Sequence, residues 1–309
     1  MDCNILHYSL VMFERLFAES GLSLDRLRAL LEVGAAGSIA KAAGGDPVRQ
    51  SQYSRQIKEL EDFFRTRLIE RHGKGTRLTA SGRELARISR FFMLGLSNFR
   101  RGCAAEEQTF RIGASATCNQ QFLLPVLSDP SLRKGGARYA SEVATDGEIE
   151  RRLHDLTLDF GVVSRAQLSR PLQTRVLGEW KLELWLPKAL RLSEAKATQA
   201  FYQGQLPLVL ARELEDLGVV PGKGAQASLV CDSFLDSRVA MGGQQVAALL
   251  PSFLVAAKST RPFVRVHVPK IDCQSFHFHL AWNPRLLRLN PHAVRRRDWL
   301  ANALAEQIK

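Results

Sequence analysis

The chain changes texture once, near Glu107, and that break restricts what it can fold into. Before it, apolar residues recur at helical spacing; after it, short apolar runs alternate with helical segments. Phe110–Ala114, Leu158–Val163, Leu182–Leu186, Leu206–Leu210, Val246–Leu250 and Phe263–Val268 read as strands. Strand–helix alternation of this kind predicts an open α/β sheet, and its length suggests two lobes. The full 309 residues suit two domains.

In the first part, Leu24, Leu27, Leu30, Leu31 and Val33 follow Ser23, which is placed to cap a helix. Ser38 opens a short helix, Ile39 to Ala43, that Gly44, Gly45 and Pro47 break. A third helix runs from about Gln50 to Phe64. Tyr53, Ile57, Leu60 and Phe64 make its apolar stripe, while Ser51, Ser54, Arg55 and Lys58 lie on another face. Small hydroxyls near a helix start, with Arg and Lys further along, suit base edges and phosphates of DNA better than a random solvated face. Arg71 to Thr79 then reads as a tight hairpin, its glycines bracketing Lys74. The order Gly-Lys-Gly-Thr lacks the upstream glycine and strand of a nucleotide-binding loop.

Charge agrees with this division. The chain has 43 Lys and Arg against 31 Asp and Glu, a net +12. Residues 22–90 hold 14 basic and 8 acidic side chains. An excess of that kind points to a polyanion or an acidic small molecule.

From Ala80 to about Ala105 a long helix carries Leu85, Ile88, Phe92, Gly95 and Phe99 as a heptad-like seam, with Leu96 beside it. Such a seam predicts self-association. No run approaches the length of a membrane helix, and Met1–Ser20 lacks a basic n-region and a cleavage site, so no membrane partner and no signal peptide are expected. Five scattered cysteines, never paired as C-x-x-C, suit a reduced cytoplasmic protein.

Chemistry-bearing clusters are few. Cys273, His277 and His279 make only three candidate ligands, so a polar strand face is expected and no metal. No catalytic signature is present, so neither an enzyme nor a cofactor is expected. Ser115 and Thr117 follow a strand and precede a helix. They suit an anion site or simple capping equally well. Thr145 and Asp146, before the helix Glu148–Leu153, stand as candidates for the facing side.

Leu27 to Leu78 resembles the winged helix-turn-helix of the LysR-type transcriptional regulators. The matching stretches are Gly37-Ser-Ile-Ala-Lys-Ala-Ala43, Gln50 with Ser54-Arg-Gln-Ile57, Leu60-Glu61, Leu68 with Glu70-Arg71, and Arg77-Leu-Thr-Ala-Ser-Gly82. The resemblance implies an α+β multidomain chain: a winged helix-turn-helix, a linker helix, and a two-lobed α/β effector-binding domain resembling type 2 periplasmic binding proteins. It places an N-terminal extension at 1–21, the DNA-binding domain at 22–82, the linker at 83–106 and the effector domain at 107–309. Lobe one would take about 107–169 and 272–309, lobe two about 170–271.

The function implied is sequence-specific DNA binding modulated by a small, anionic effector. Ser51, Ser54 and Arg55 would face bases, Gln50 and Lys58 bases or phosphate, and Ser38 and Lys74 the backbone. Ser115, Thr117 and Thr145 would hold the effector. Double-stranded DNA, the effector, a second copy (as dimer or tetramer) and RNA polymerase are the expected partners. Asp46 stands where the family usually has an apolar residue, Arg49 where it often has serine, and Ser51 where it often has proline. A shortened second helix, less firmly packed on the third, follows. The same departures motivate an alternative, a solute-binding or interaction protein with a degenerate DNA-binding domain.

Overall fold

The structure, a computed structural model, describes residues 16, 20–73, 75–104, 108–129, 137–165, 167–219, 227–243, 245–255 and 262–308. It divides into two compact units, residues 1–97 and 98–309.

The first unit opens with α1 (Leu24–Ala36). The Ser23 hydroxyl accepts from the Arg26 N–H at 3.3 Å, and the helix stops at Gly37, whose φ of 65° suits a residue without a side chain. The short α2 (Ile39–Ala42) follows, then α3 (Pro47–Phe64). Helix α3 begins at Pro47 rather than near Gln50. Asp46 Oδ1 accepts from the N–H groups of Val48 at 2.9 Å and Arg49 at 3.4 Å, and Pro47 sits where no helical N–H is required. Asp46 and Pro47 therefore start a helix as well as ending the turn before it.

The second helix is four residues long, and its Ile39 and Ala42 pack on the cluster that holds Tyr53 and Ile57 of α3. Tyr53, Ile57 and Leu60 are buried, the first two with Ala29, Val33 and Ala43, and Leu60 with Leu27, Leu30 and Leu68.

Strands β1 (Ile69–His72) and β2 (Gly75–Leu78) pair antiparallel with His72 opposite Gly75, leaving a two-residue turn. Gly73 has φ of 56°, as a tight hairpin of this twist requires. The Glu61 carboxylate accepts from the N–H groups of Leu68 and Ile69 at 2.8 and 3.2 Å, fixing the hairpin base to α3. Thr76 N–H donates to Gly37 O at 2.9 Å, and a side chain on Gly75 would meet that oxygen at 2.7 Å.

The long α4 (Ala80–Ala104) follows and runs on past residue 97, where the first unit ends. Leu85 and Met93 pack on the cluster of Leu27, Leu30, Leu60 and Leu68. Leu85 is therefore half-buried against this core rather than fully on an outward seam, because the hairpin brings Leu68 to the start of α4. Ile88, Phe92, Leu96 and Phe99 are exposed, at 52, 51, 46 and 75%.

In the second unit, β6 (Gln173–Pro187) runs through two half-sheets. Its first part pairs with β11 (Ser275–Trp282), in the order β4 (Ala137–Val143), β3 (Gln108–Ala114), β5 (Phe160–Val163), β11, β6. From Leu182 onward it pairs with β9 (Ala247–Pro251) and β10 (Phe263–Val266), and β9 continues to β7 (Leu208–Ala211) and β8 (Ala227–Cys231). The chain thus passes between halves inside β6, beyond residue 170.

Both halves mix parallel pairs with antiparallel ones. Strands β5 and β9 are buried throughout, as central strands covered on both faces must be. The C-terminal helix Pro291–Ile308 lies on β6, where a side chain on Gly178 would meet Ile308 Cγ2 at 2.4 Å.

Replacing the α3 cap tests the account of the first unit. Asp46→Ala should cost about 1 kcal/mol of local stability. Faster amide exchange at Val48 and Arg49 in the full-length protein, relative to the rest of α3, is the expected reading.

Candidate functional site

Two regions carry the chemistry, one in each unit. On α3, burial of Tyr53, Ile57 and Leu60 turns Gln50, Ser51, Ser54, Arg55 and Lys58 outward, and all five are exposed. Ser51, Ser54 and Lys58 have no side-chain partner among the described residues. Arg55 lies 3.7 Å from Glu59, which also pairs with Arg26. An exposed pair of this kind holds the guanidinium weakly and leaves its donors usable. Val48 stands at the same helix start, 75% exposed. Ser38 is half-buried, and its hydroxyl makes no capping bond to α2. Lys74, expected at the hairpin tip, lies outside the described residues. Arg77 on β2 is engaged across the hairpin by Glu70 at 2.6 Å.

The second region lies where the half-sheets of the other unit meet. Helix α5 (Ala116–Cys118) leaves β3 and leads through a π-helical turn, Asn119–Leu123, into α6 (Leu124–Leu127). Ser115 caps α5, its hydroxyl accepting from the Cys118 N–H at 3.3 Å. Thr117 is 2% exposed and donates twice to Glu213, from its hydroxyl at 2.6 Å and its N–H at 3.1 Å. Glu213 opens α9 (Glu213–Asp216) in the other half, beyond α7 (Asp146–His154) and α8 (Glu194–Tyr202). Its Oε2 also accepts from the Phe234 N–H at 2.9 Å, at the start of α10 (Phe234–Gly243).

The expected anionic effector therefore meets a carboxylate already in place. Glu213 takes the donors that Thr117 was expected to offer, and Thr145 caps α7 by accepting from the Glu148 N–H at 3.3 Å. These pairings join residues as much as 96 positions apart, and no local pattern announces them.

Asp146 is buried beside this clasp. Its Oδ2 accepts from the N–H groups of Ser164 and Arg165 at 2.8 and 3.1 Å, while its own N–H donates to Asp216 at 3.3 Å. Arg165 reaches Asp216 at 3.3 Å. Burial foremost, then the Asp216 carboxylate, pushes the Asp146 carboxyl up to about 7 from 3.8, against the two backbone donors that favour its charge. Burial likewise raises the Cys118 thiol, with Glu213 and Asp146 adding to the shift.

The two histidines of β11 lie side by side, their ring centres 6.2 Å apart. His277 is half-buried and His279 buried, and burial foremost, with His277 beside it, holds the His279 ring below its ordinary range. No group of three metal-ligating side chains occurs among the described residues, and no described helix is long and apolar enough to cross a membrane.

The raised Asp146 carboxyl has a consequence for stability. The folded chain keeps a proton that the unfolded chain has released, so this group's contribution is full below about pH 4 and is lost as pH rises through about 7. Asp146→Asn should remove that loss. Its melting temperature relative to wild type should climb from about pH 5 to about pH 8, and a constant difference would refute the assignment.

Comparison with known proteins accords with both regions. The family model for bacterial regulatory helix-turn-helix proteins of the lysR family matches residues 24–83, and that for the LysR substrate binding domain matches residues 104–305. The HTH-type transcriptional regulator HdfR of Salmonella newport is 25% identical over 175 residues, which span 55% of this chain and 63% of that relative. ArgP from Mycobacterium tuberculosis superposes with a TM-score of 0.64 at 18% identity, over 91% of this chain and 96% of its own. Full-length LysG from Corynebacterium glutamicum, with bound effector Arg, gives 0.63 at 17% identity, over 92% and 99%. At such identities the structural likeness is one of fold. The two family models together account for both units, and the chain belongs to the LysR family of transcriptional regulators.

Proposed function

We propose that the chain is a sequence-specific, double-stranded-DNA-binding regulator of transcription whose activity responds to a small molecule. The observation that carries this reading is the outward row of Gln50, Ser51, Ser54, Arg55 and Lys58 on α3. A capped helix whose other side is locked into α1 presents that row as a rigid edge, suited to the major groove. Ser51, Ser54 and Arg55 read bases, Gln50 and Lys58 bases or phosphate, and Ser38 the backbone. Lys74, expected at the hairpin tip, would add a backbone contact. The excess of basic residues over positions 22–90 supports the phosphate part of this contact.

Asp46 favours this reading over a decayed DNA-binding domain, because it strengthens the start of the helix that reads. The protein works in the cytoplasm, with RNA polymerase as a further partner. Its function is regulation and not an enzymatic step.

Self-association follows from α4. Ile88, Phe92, Leu96 and Phe99 expose an apolar stripe on a helix whose other side packs on its own unit. A second copy, as dimer or tetramer, covers it and matches a two-fold DNA site.

Two substitutions test these assignments. Arg55→Ala opens no cavity, since the side chain is 76% exposed. It should cost about 1–3 kcal/mol of discrimination at one base pair. Footprinting on the region upstream of its own gene should show protection by wild type and its loss in the variant; undiminished protection would remove Arg55 from the reading set. Phe92→Glu places a carboxylate in the stripe, where pairing would desolvate it. Light scattering should show a smaller species and gel shift a weaker complex, whereas an unchanged mass would mean that this stripe is not the interface.

A further inference from the structure

The region between the two half-sheets carries charge of the opposite sign to the chain as a whole. Asp146 reaches it from the start of α7, and Glu213 and Asp216 reach it from α9. Glu213 and Asp146 both act on Cys118, and Asp216 acts on Asp146, so the three carboxyls share one neighbourhood. No lysine or arginine lines the enclosed space, although Arg165 touches Asp216 from its rim.

Aromatic rings form the other side. Trp180 lies 5.4 Å from Phe278, 5.8 Å from Phe253 and 6.3 Å from Phe234, measured between ring centres. Trp180 is only 4% exposed, and its indole Nε1 has no hydrogen-bond partner among the described residues.

Carboxylates gathered beside ring faces in a poorly hydrated space repel anions and attract a cation. A metal ion does not suit the set, because the described residues form no metal-holding group and each carboxylate already accepts protein donors. An organic cation needs only one or two carboxylate oxygens and gains from the rings. The unpaired indole N–H calls for an acceptor as well, since a buried donor without one is costly.

We propose that this site binds a small organic cation, an ammonium or guanidinium group on a short body that also carries a hydrogen-bond acceptor. Asp216 and Glu213 face the charge, and Trp180 Nε1 donates to the acceptor. The side chains leave only about 10 Å³ between them, room for one water, so the ligand must be short and must part the clasp to enter. The proposal rests on reading this unit as the effector-binding one, and it replaces the anion expected from the sequence.

The test is calorimetry and thermal shift on the full-length protein. Arginine, agmatine and putrescine serve as cationic probes, with succinate and N,N′-diacetylputrescine as acidic and uncharged controls. At least one cation should bind saturably at millimolar concentration or below, and neither control should. Asp216→Asn should weaken that cation about tenfold or more, as loss of a charge-assisted contact does. Trp180→Phe should weaken arginine more than putrescine, which has no acceptor.

Saturable binding of succinate, equal binding of the diacetylated control, or no binding by any of the cations would overturn the proposal. The wild-type comparison of putrescine with its diacetyl form stands even if a variant fails to fold. Gel shift run in parallel separates the two readings: operator binding without cation binding removes only the ligand class, while cation binding without operator binding removes the regulator.

Discussion

Burial of Tyr53, Ile57 and Leu60 against α1 decides what the first unit can do. Once that stripe is inside, helical geometry leaves Ser51, Ser54, Arg55 and Lys58 on the opposite side without further choice. Three bonds then stiffen the frame: Asp46 to the start of α3, Glu61 to β1, and Gly37 to β2. The first two tie a turn to α3, and the third ties the end of α1 to the hairpin. Rigidity matters because a bidentate contact to a base discriminates only when its geometry is held.

The second unit depends on β6 in a comparable way. One strand of fifteen residues belongs to both half-sheets, so the halves share a backbone and cannot shift far apart there. The Thr117–Glu213 pair and the Asp146–Asp216 contact then join them on either side of the enclosed space. A ligand can favour one arrangement of the halves only through a difference in its affinity for the two. The clasp supplies that difference, because a cation drawn to Glu213 or Asp216 competes with, or adds to, bonds that exist only when the halves meet.

Much of this was legible in the residues themselves, for a physical reason. Periodicity reports which side of a helix is buried, and α1, α3 and α4 are long enough to show it. The central strands stood out because they are apolar throughout. Edge strands β4 and β8 did not, since their exposed positions carry no alternation to read. The first part of β6 was also hidden: Gln173, Arg175 and Val176 are ordered by pairing with β11, a hundred residues further on. Asp46 departs from an apolar position and at the same time caps α3, a role that an aspartate before a proline is suited to. Leu85 fits the seam by spacing and the core by contact, and only the position of Leu68 decides between them. Of the acidic site only Asp146 stood out, because Glu213 and Asp216 lie on one short segment that meets it only in the fold.

Placing an acidic site inside a basic protein also solves a problem of selectivity. A chain with a net charge of +12 draws every small anion of its surroundings toward its surface, as well as DNA. An effector site that used the same positive charge would fill with whichever abundant anion came first, and its occupancy would carry little information. Glu213 and Asp216 reverse the sign locally, beside an Asp146 that holds its proton up to about pH 7, and Glu213 occupies the two helix starts that would otherwise hold an anion. Rejection of the common ligand is thereby built into the groups that attract the rare one, which is how discrimination exceeds what attraction alone provides. The two charges of the molecule thus serve different partners: the positive surface of the first unit takes DNA, and the negative interior of the second responds to the signal.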